Sequence, residues 1–424
     1  MSTIFAPITG FGGAVTVIRL SGPQAVAIAA RLGGALPPPR HAALRRLRYG
    51  GEVIDTALVT LFPAPASYTG EDCVELSLHG GRAVRSAVAE ALVELGARPA
   101  EPGEFSRRAF LNDRLDLLRA EAIADLIAAE TAAQRRQAIA GGEALQAAAT
   151  RWREALRGIL ARQEALIDFP DESLPADVET GLLGRIATLR DAMAEILGTA
   201  PRAERLREGL NFVIIGPPNA GKSSLLNRLG GAEIAIVSET PGTTRDAVSV
   251  RLDLGGVPVN ITDTAGLREA ENAIEDEGIR RARAHAAGAD LVLNLAAPGQ
   301  GFAQPPEGVE TLRVATKSDL APGSASGLAI SAQTGAGMAE LMGRLSEIAQ
   351  RLTDTGGSPA LARPRQIACV RETALALDRA LANPEPELRG EDLRAAATAL
   401  ARLTGGIGVE EVLDAVFSSF CIGK

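Results

Sequence analysis

The segment Gly216-Pro217-Pro218-Asn219-Ala220-Gly221-Lys222-Ser223 constrains the fold more than any other part of this chain. It fits the spacing G-x-x-x-x-G-K-[ST]. Leu210, Phe212, Val213, Ile214 and Ile215 precede it as an apolar strand, and Lys222 to Leu229 predicts a helix after it. A strand that turns through glycines into a helix start gathers backbone N–H groups and the positive helix end at one point. That arrangement suits a polyphosphate. Lys222 then reaches the β- and γ-phosphates and the Ser223 hydroxyl takes magnesium. Asn219, Ala220, Gly221 and Ser224 complete the cradle.

Four later segments extend this reading to a guanine nucleotide. Asp263-Thr264-Ala265-Gly266 follows the alternating segment Val257 to Ile261. Asp263 is placed to hold magnesium through water, and the Gly266 N–H to sense the γ-phosphate. Thr243 and Thr244 lie in the intervening segment, where a switch would supply a second hydroxyl to magnesium. Thr316-Lys317-Ser318-Asp319 follows the strand-like Thr311 to Ala315. A carboxylate at Asp319 accepts from N1–H and the exocyclic amine of guanine, a pairing adenine cannot make, and an unpaired buried polar group is costly. Ser331-Ala332 follows Leu328 to Ile330, where a backbone N–H meets guanine O6. The usual motif reads Asn-Lys-x-Asp. Here Thr316 stands in place of the Asn, keeping a hydroxyl to tie the loop but losing the reach of an amide.

At 424 residues the chain calls for two or three domains. Its 46% hydrophobic content excludes a disordered chain, and with 3% aromatics the cores must be built from Leu, Ala, Ile and Val. A net charge of −8 and a pI near 5.3 fit poorly with a broad basic nucleic-acid face. Cys73, Cys369 and Cys421 have no disulfide or metal spacing, which suits a reducing cytosol, and no apolar run predicts a membrane span. A cytoplasmic location is expected.

Along the chain, residues 1–112 read as mixed α and β, with strands at Ala14 to Leu20, Ala57 to Phe62 and Cys73 to Leu78 and a helix from Arg82. Glu104 to Ala140 holds neither Gly nor Pro and predicts one long helix or two, ended by Gly141-Gly142. Helices are further expected at Glu143 to Ile167, Val178 to Leu197, Arg365 to Ala382, Glu391 to Leu403 and Val409 to Phe417. The expected division is therefore 1–112, 113–206, 207–350 and 351–424. The economical form is one helical domain, in two parts, with the P-loop (Ras-like) GTPase of 207–350 inserted in it.

Four blocks carry a family resemblance. They are Gly12 to Gly22; Ser67-Tyr68-Thr69-Gly70-Glu71-Asp72-Cys73-Val74-Glu75 with His79-Gly80-Gly81; Pro102-Gly103-Glu104-Phe105 through Arg108 to Asn112 and Leu115 to Ala122; and the terminal Phe420-Cys421-Ile422-Gly423-Lys424. Together they resemble the tRNA-modifying GTPase family MnmE, also called TrmE. The resemblance implies an α+β N-terminal domain that binds folate and forms a homodimer, a helical domain, and the inserted GTPase. It also implies a heterotetramer with the FAD-dependent partner MnmG, acting on tRNA. The pair would install a carboxymethylaminomethyl-type group at C5 of the wobble uridine, with a one-carbon unit from 5,10-methylene- or 5-formyl-tetrahydrofolate. A ribosome-assembly GTPase shares the nucleotide motifs but usually carries a basic RNA-binding module after the GTPase, whereas here that tail reads as helical and the chain is acidic.

Leu267 stands where most small GTPases place the water-orienting Gln, and neither Arg245 nor Arg268 is assignable as an arginine finger. The resemblance supplies potassium instead, held by Asn219, the carbonyls of Ser238 and Thr240, and Thr243, with Thr244 on magnesium. A monovalent cation there offsets charge developing at the β–γ bridge. Glu275 would orient water, with Asp276 and Glu277 as neighbouring candidates. Arg19, Glu75, Arg114 and Lys424 match the folate contacts, Arg114 standing where a Lys is often found. Cys421, in the terminal motif, is expected to have a functional role as nucleophile, redox thiol or positioning group, with packing as the alternative.

Overall fold

The computed structural model describes residues 2–10, 12–168, 176–232, 234–236, 249–263, 287–321, 327–406, 413, 416–418, 420 and 423. The chain divides into two compact units, Met1–Ala124 with Thr398–Lys424, and Asp125–Ala397.

The first unit is built on a six-stranded mixed sheet. Its strands are β1 (Ile4–Pro7), β2 (Val15–Ser21), β3 (Ala42–Tyr49), β4 (Glu52–Phe62), β5 (Cys73–His79) and β6 (Arg98–Pro99), in the order β3-β4-β5-β2-β1-β6. Only the β1–β6 pair is parallel. Side chains alternate between faces along each strand. Ile18, Leu20, Ala57, Val59, Val74, Leu76 and Leu78 fall on one face and pack under helices α1 (Ala25–Gly33) and α2 (Arg82–Glu94). Val15, Val17, Arg19, Leu44, Leu58, Glu75 and Ser77 share the opposite face.

After the sheet the chain continues as helices, which run across the boundary at Asp125 into the second unit. Glu104 to Ala140 is not one or two helices but a series: α3 (Glu104–Leu111), α4 (Leu117–Ala128), α5 (Ala132–Arg136) and a π-helical turn, Gln137–Gly141. Asp113 takes a left-handed φ of 54°, which ends α3 without glycine. Thr131 begins α5 with a reciprocal capping box to Gln134. Conversely Gly141-Gly142 does not stop the chain, which runs on as α6 (Gly142–Asp168). Phe110, Leu117, Ala120, Leu413, Val416, Phe417 and Phe420 form a cluster that joins the C-terminal residues to α3 and α4. A Cβ on Gly423 would lie 2.2 Å from the Pro7 carbonyl, so the chain passes closely over the end of β1.

The second unit combines long helices with a second sheet. The helices are α6, α7 (Ala176–Glu208), α10 (Pro364–Ala382) and most of α11 (Pro386–Thr404). The sheet has the order β12-β11-β10-β7-β9-β8. Its strands are β7 (Leu210–Ile215), β8 (Ser249–Leu254), β9 (Val257–Asp263), β10 (Leu291–Ala296), β11 (Thr311–Ala315) and β12 (Leu328–Ala329). All pairs are parallel except β8–β9. Phe212, Ile214, Ile261, Leu293, Leu295 and Val314 fill its core with α8 (Lys222–Gly230) and α9 (Met338–Thr353). β7 lies between β9 and β10, and the loop leaving its carboxyl end opens where sheets of this kind bind ligands. Among the described residues no helix is long and apolar enough to cross a membrane.

Candidate functional site

The loop from β7 to α8 is held by contacts that leave little choice of residue. Gly216 has φ 152°, and a Cβ there would lie 2.3 Å from the Leu295 carbonyl oxygen. The Ala220 N–H donates to Pro217 O at 3.3 Å, closing a turn with Pro218 and Asn219 at its centre. Asn219 has φ 61°. Proline followed by a residue of positive φ is the pattern of a type II turn, and Asn tolerates that conformation. Gly221, at φ 86°, then starts α8.

Lys222 is buried, and its Nζ donates to Gly216 O and Pro217 O, each at 3.0 Å. This bends the ammonium back over the loop. Ser223 Oγ donates to Asp263 Oδ2 at 3.2 Å, and Asp263 is only 2% exposed at the end of β9. A hydroxyl and a carboxylate side by side are the hard oxygen donors that magnesium takes. Asn219 and Ser224 are exposed beside them.

Thr316 draws the loop after β11 onto this cradle. Its Oγ1 donates to Ala220 O at 2.7 Å and also contacts Ala296 O at 3.2 Å. Lys317 follows with φ 54°, which sets the turn presenting the exposed Asp319. The Ser318 N–H donates to Ile330 O, pairing this loop with the one after β12. There Ser331 is buried, its Oγ accepting from the Thr334 N–H, with Ala332 half-buried next to it. The structure thus brings Lys222, Ser223, Asp263 and Thr316 into one linked set, with Asp319 and Ser331 on neighbouring loops.

Two further residues support the loop without belonging to a motif. Asn294, 1% exposed on β10, donates from Nδ2 to Ala303 O at 2.6 Å and accepts from the Ala303 N–H at 3.2 Å. It thereby folds the segment 297–303 back on itself. Gln300, in that segment, donates from Nε2 to Pro218 O at 3.0 Å and accepts from the Ala297 N–H at 3.2 Å. A buried asparagine inside an apolar strand was the one signal available for this support.

The second set lies in the first unit. Arg19 and Glu75 oppose each other on β2 and β5, and Arg19 Nε and Nη2 donate to Glu75 Oε1 at 3.0 and 2.8 Å. The guanidinium also lies 4.9 Å from the Tyr68 ring centre and 5.7 Å from that of Phe105. The segment carrying Tyr68 is fixed from below. Asn112 Nδ2 donates to Thr69 O at 2.7 Å, and Arg108 Nη1 to Glu71 Oε2 at 2.9 Å. Arg108 also meets Glu104 at 2.9 Å, and Glu104 meets Arg98 at 2.5 Å. Burial pushes the Glu104 carboxyl up, but hydrogen bonds from Arg98, the Glu101 N–H and Arg108 outweigh it and hold it below the usual range. Arg114 is exposed, and its stem lies against Gly70: a Cβ there would be 3.1 Å from Arg114 Cγ. The folate candidates Arg19 and Arg114 thus border one segment, residues 67–72, and Glu75 is paired with Arg19.

Several expected site residues lie outside the described residues: Ser238, Thr240, Thr243, Thr244, Thr264, Ala265, Gly266, Glu275, Cys421 and Lys424.

The chain matches the family described as GTP-binding protein TrmE N-terminus over residues 3–114 and the MnmE helical domain over residues 117–421. It is 59% identical to the tRNA modification GTPase MnmE of Acidiphilium cryptum, covering 99% of this chain and 98% of that one. It is 51% identical to the protein of that name from Gluconacetobacter diazotrophicus, again covering 99% and 98%. It is 49% identical to the one from Rhodospirillum rubrum, over the whole of both chains. With the phosphate loop, the mixed sheet and the flanking helices in place, the chain belongs to the MnmE (TrmE) family of tRNA modification GTPases.

Proposed function

We propose that this chain is a GTPase that acts in tRNA modification. The observation that carries the reading is the junction of Lys222, Ser223, Asp263 and Thr316, which ties together the three loops that would serve phosphate, metal and guanine. Lys222 swings from its loop carbonyls to the β- and γ-phosphates. Ser223 and Asp263 would hold magnesium, which supplies charge neutralisation at the phosphates. Asp319 accepts from the guanine edge, and Ser331-Ala332 offers a backbone N–H to O6.

The finer mechanism extends this. Asn219, exposed on its turn, offers a neutral amide oxygen suited to potassium, with Ser238, Thr240 and Thr243 as the further ligands and Thr244 on magnesium. Glu275 orients the attacking water. The division into 1–112, 113–206, 207–350 and 351–424 separates the folate, helical and GTPase functions.

In the first unit Arg19 and Glu75 present a cation and a carboxylate beside an aromatic ring, a set that fits the carbonyl, amine and ring of a reduced pterin. Arg114 and Lys424 would hold its acidic tail. The open face of the same sheet exposes Val15, Leu44 and Leu58 at 56%, 63% and 46%, and Leu44 and Leu58 are direct cross-strand partners. An apolar patch flanking a ligand site supports homodimer formation there. Cys421 would act as a functional thiol. The complex with the flavin-dependent MnmG would then place a carboxymethylaminomethyl-type group on C5 of the wobble uridine in the cytoplasm.

The test is mass analysis of wobble nucleosides in tRNA from cells lacking this chain. Loss of the C5-substituted uridine is expected. Its persistence, with defective ribosomal subunits instead, would favour a ribosome-assembly GTPase.

A further inference from the structure

Two side chains from different loops grip the carbonyls of the residues before and after Asn219, and only the Pro218 carbonyl belongs to a peptide that adjoins it. Thr316 Oγ1 donates to the Ala220 carbonyl at 2.7 Å, and Gln300 Nε2 donates to the Pro218 carbonyl at 3.0 Å. The two carbonyls are not equivalent. In a turn spanning Pro217 to Ala220, the central peptide joins Pro218 to Asn219. Types I and II differ by a half-rotation of that peptide: type II has φ near +80° at the third residue, type I near −90°. Asn219, at φ 61°, is in the type II form. Pro218 has its φ locked by its ring, so the orientation of its carbonyl selects between the two forms. Gln300 holds that carbonyl.

Gln300 is itself braced for the task. Its Oε1 accepts from the Ala297 N–H, and its own N–H donates to Ala297 O at 3.0 Å. The segment is anchored at its far end by buried Asn294 through both polar atoms of Ala303. This chain of contacts starts in the sheet core and ends at one peptide plane of the phosphate loop. An asparagine costs more in the left-handed region than a glycine does, so without the grip the turn would populate the type I form and redirect the Asn219 side chain.

We propose that Gln300 is a positioning residue for GTP hydrolysis: its amide fixes the Pro218–Asn219 peptide so that the Asn219 carboxamide is held ready for a monovalent cation. The proposal rests on the potassium reading given above.

The experiment uses the full chain and a fluorescent GDP analogue with aluminium fluoride. Potassium is titrated at constant ionic strength against sodium, and complex formation is followed rather than turnover. GDP affinity in sodium is measured alongside. Gln300→Ala should raise the potassium midpoint about fivefold, as expected from loss of one net hydrogen bond, and leave GDP affinity in sodium unchanged within about twofold. Gln300→Glu keeps an acceptor for the Ala297 N–H but loses the donor to Pro218, so it should shift the midpoint at least as far. An unshifted midpoint in Gln300→Ala, wild-type behaviour of Gln300→Glu, or an equal loss of GDP affinity in sodium would each overturn the proposal. If the wild-type chain forms the complex equally well in both salts, the potassium reading itself fails, and this role for Gln300 falls with it.

Discussion

Ser223 Oγ donates to Asp263 Oδ2 across 3.2 Å, linking the first turn of α8 to the end of β9. The two residues are forty positions apart, and the contact sets the loops bearing them close enough for the proposed magnesium to engage both. Ser223→Ala is expected to abolish most of the gain in GDP affinity that magnesium gives, roughly a ten- to hundredfold effect for a hydrogen bond to a charged group. Affinity in excess chelator should stay near wild type. Titration of a fluorescent nucleotide with and without magnesium reads both quantities, and an intact magnesium effect would remove Ser223 from the metal site.

Thr316→Val keeps the shape of the side chain and deletes the hydroxyl. The buried carbonyl of Ala220 then loses a donor, which should cost about 1–2 kcal/mol of stability in the nucleotide fold. Guanine nucleotide affinity should drop several-fold with it, while Thr316→Ser retains most of both. Denaturant unfolding and nucleotide titration of the two variants would check this, and equal behaviour of Val and Ser would mean that the hydroxyl ties nothing.

Glu104 sets a pH dependence with a definite sign. Its folded carboxyl is held below the ordinary value of 4.5, so its contribution is present above about pH 4.5 and is lost as pH falls through the folded value. Glu104→Gln should destabilise the first unit by about 2–4 kcal/mol at neutral pH, because Arg108 and Arg98 lose a shared partner. The gap between the two proteins should narrow in acid. Unfolding at pH 7 and below pH 4 tests it, and a pH-independent gap would place the effect in packing alone.

Arg19→Ala should weaken binding of a reduced folate tenfold or more and leave GTP turnover unchanged. Arg19→Lys should not restore binding, since an ammonium cannot reproduce two N–H bonds to Glu75 in one plane. Calorimetry with 5-formyl-tetrahydrofolate gives the comparison. Undiminished affinity in Arg19→Ala would move the folate site elsewhere.

GTP turnover should be faster in potassium than in sodium, and Glu275→Ala should slow it by about a hundredfold or more with nucleotide binding retained. Phosphate release in the two salts, for wild type and variant, measures both effects. Equal rates in the two salts would leave Asn219 without its proposed role, and unchanged turnover in the variant would pass the role to Asp276 or Glu277.

The nucleotide sheet was readable because its loops must contain particular residues: glycines where backbone atoms nearly touch, a lysine and a hydroxyl at fixed offsets. β7, β9 and β11 begin at the residues that the apolar patterns indicate. The helical region was read less well, for two opposite reasons. Asp113 and Thr131 end and begin helices without any glycine or proline to mark them. Gly141, by contrast, sits inside a continuing helical path because a Cβ there would lie 2.8 Å from that of Ala360, so it serves close packing rather than a break. Gln300 was invisible for a third reason: its partner is a backbone carbonyl, and no spacing rule connects positions 218 and 300.

The first unit is assembled from two stretches of chain separated by the whole of the second. In chain order, residues 125–397 form one continuous run that precedes Thr398 onward. The apolar side chains of Phe110 and Leu117 are covered by Phe417 and Phe420 from that last stretch. The unit bearing Arg19 and Glu75 is therefore the one whose core draws on both ends of the chain, and losing the last residues would strip apolar cover from that core.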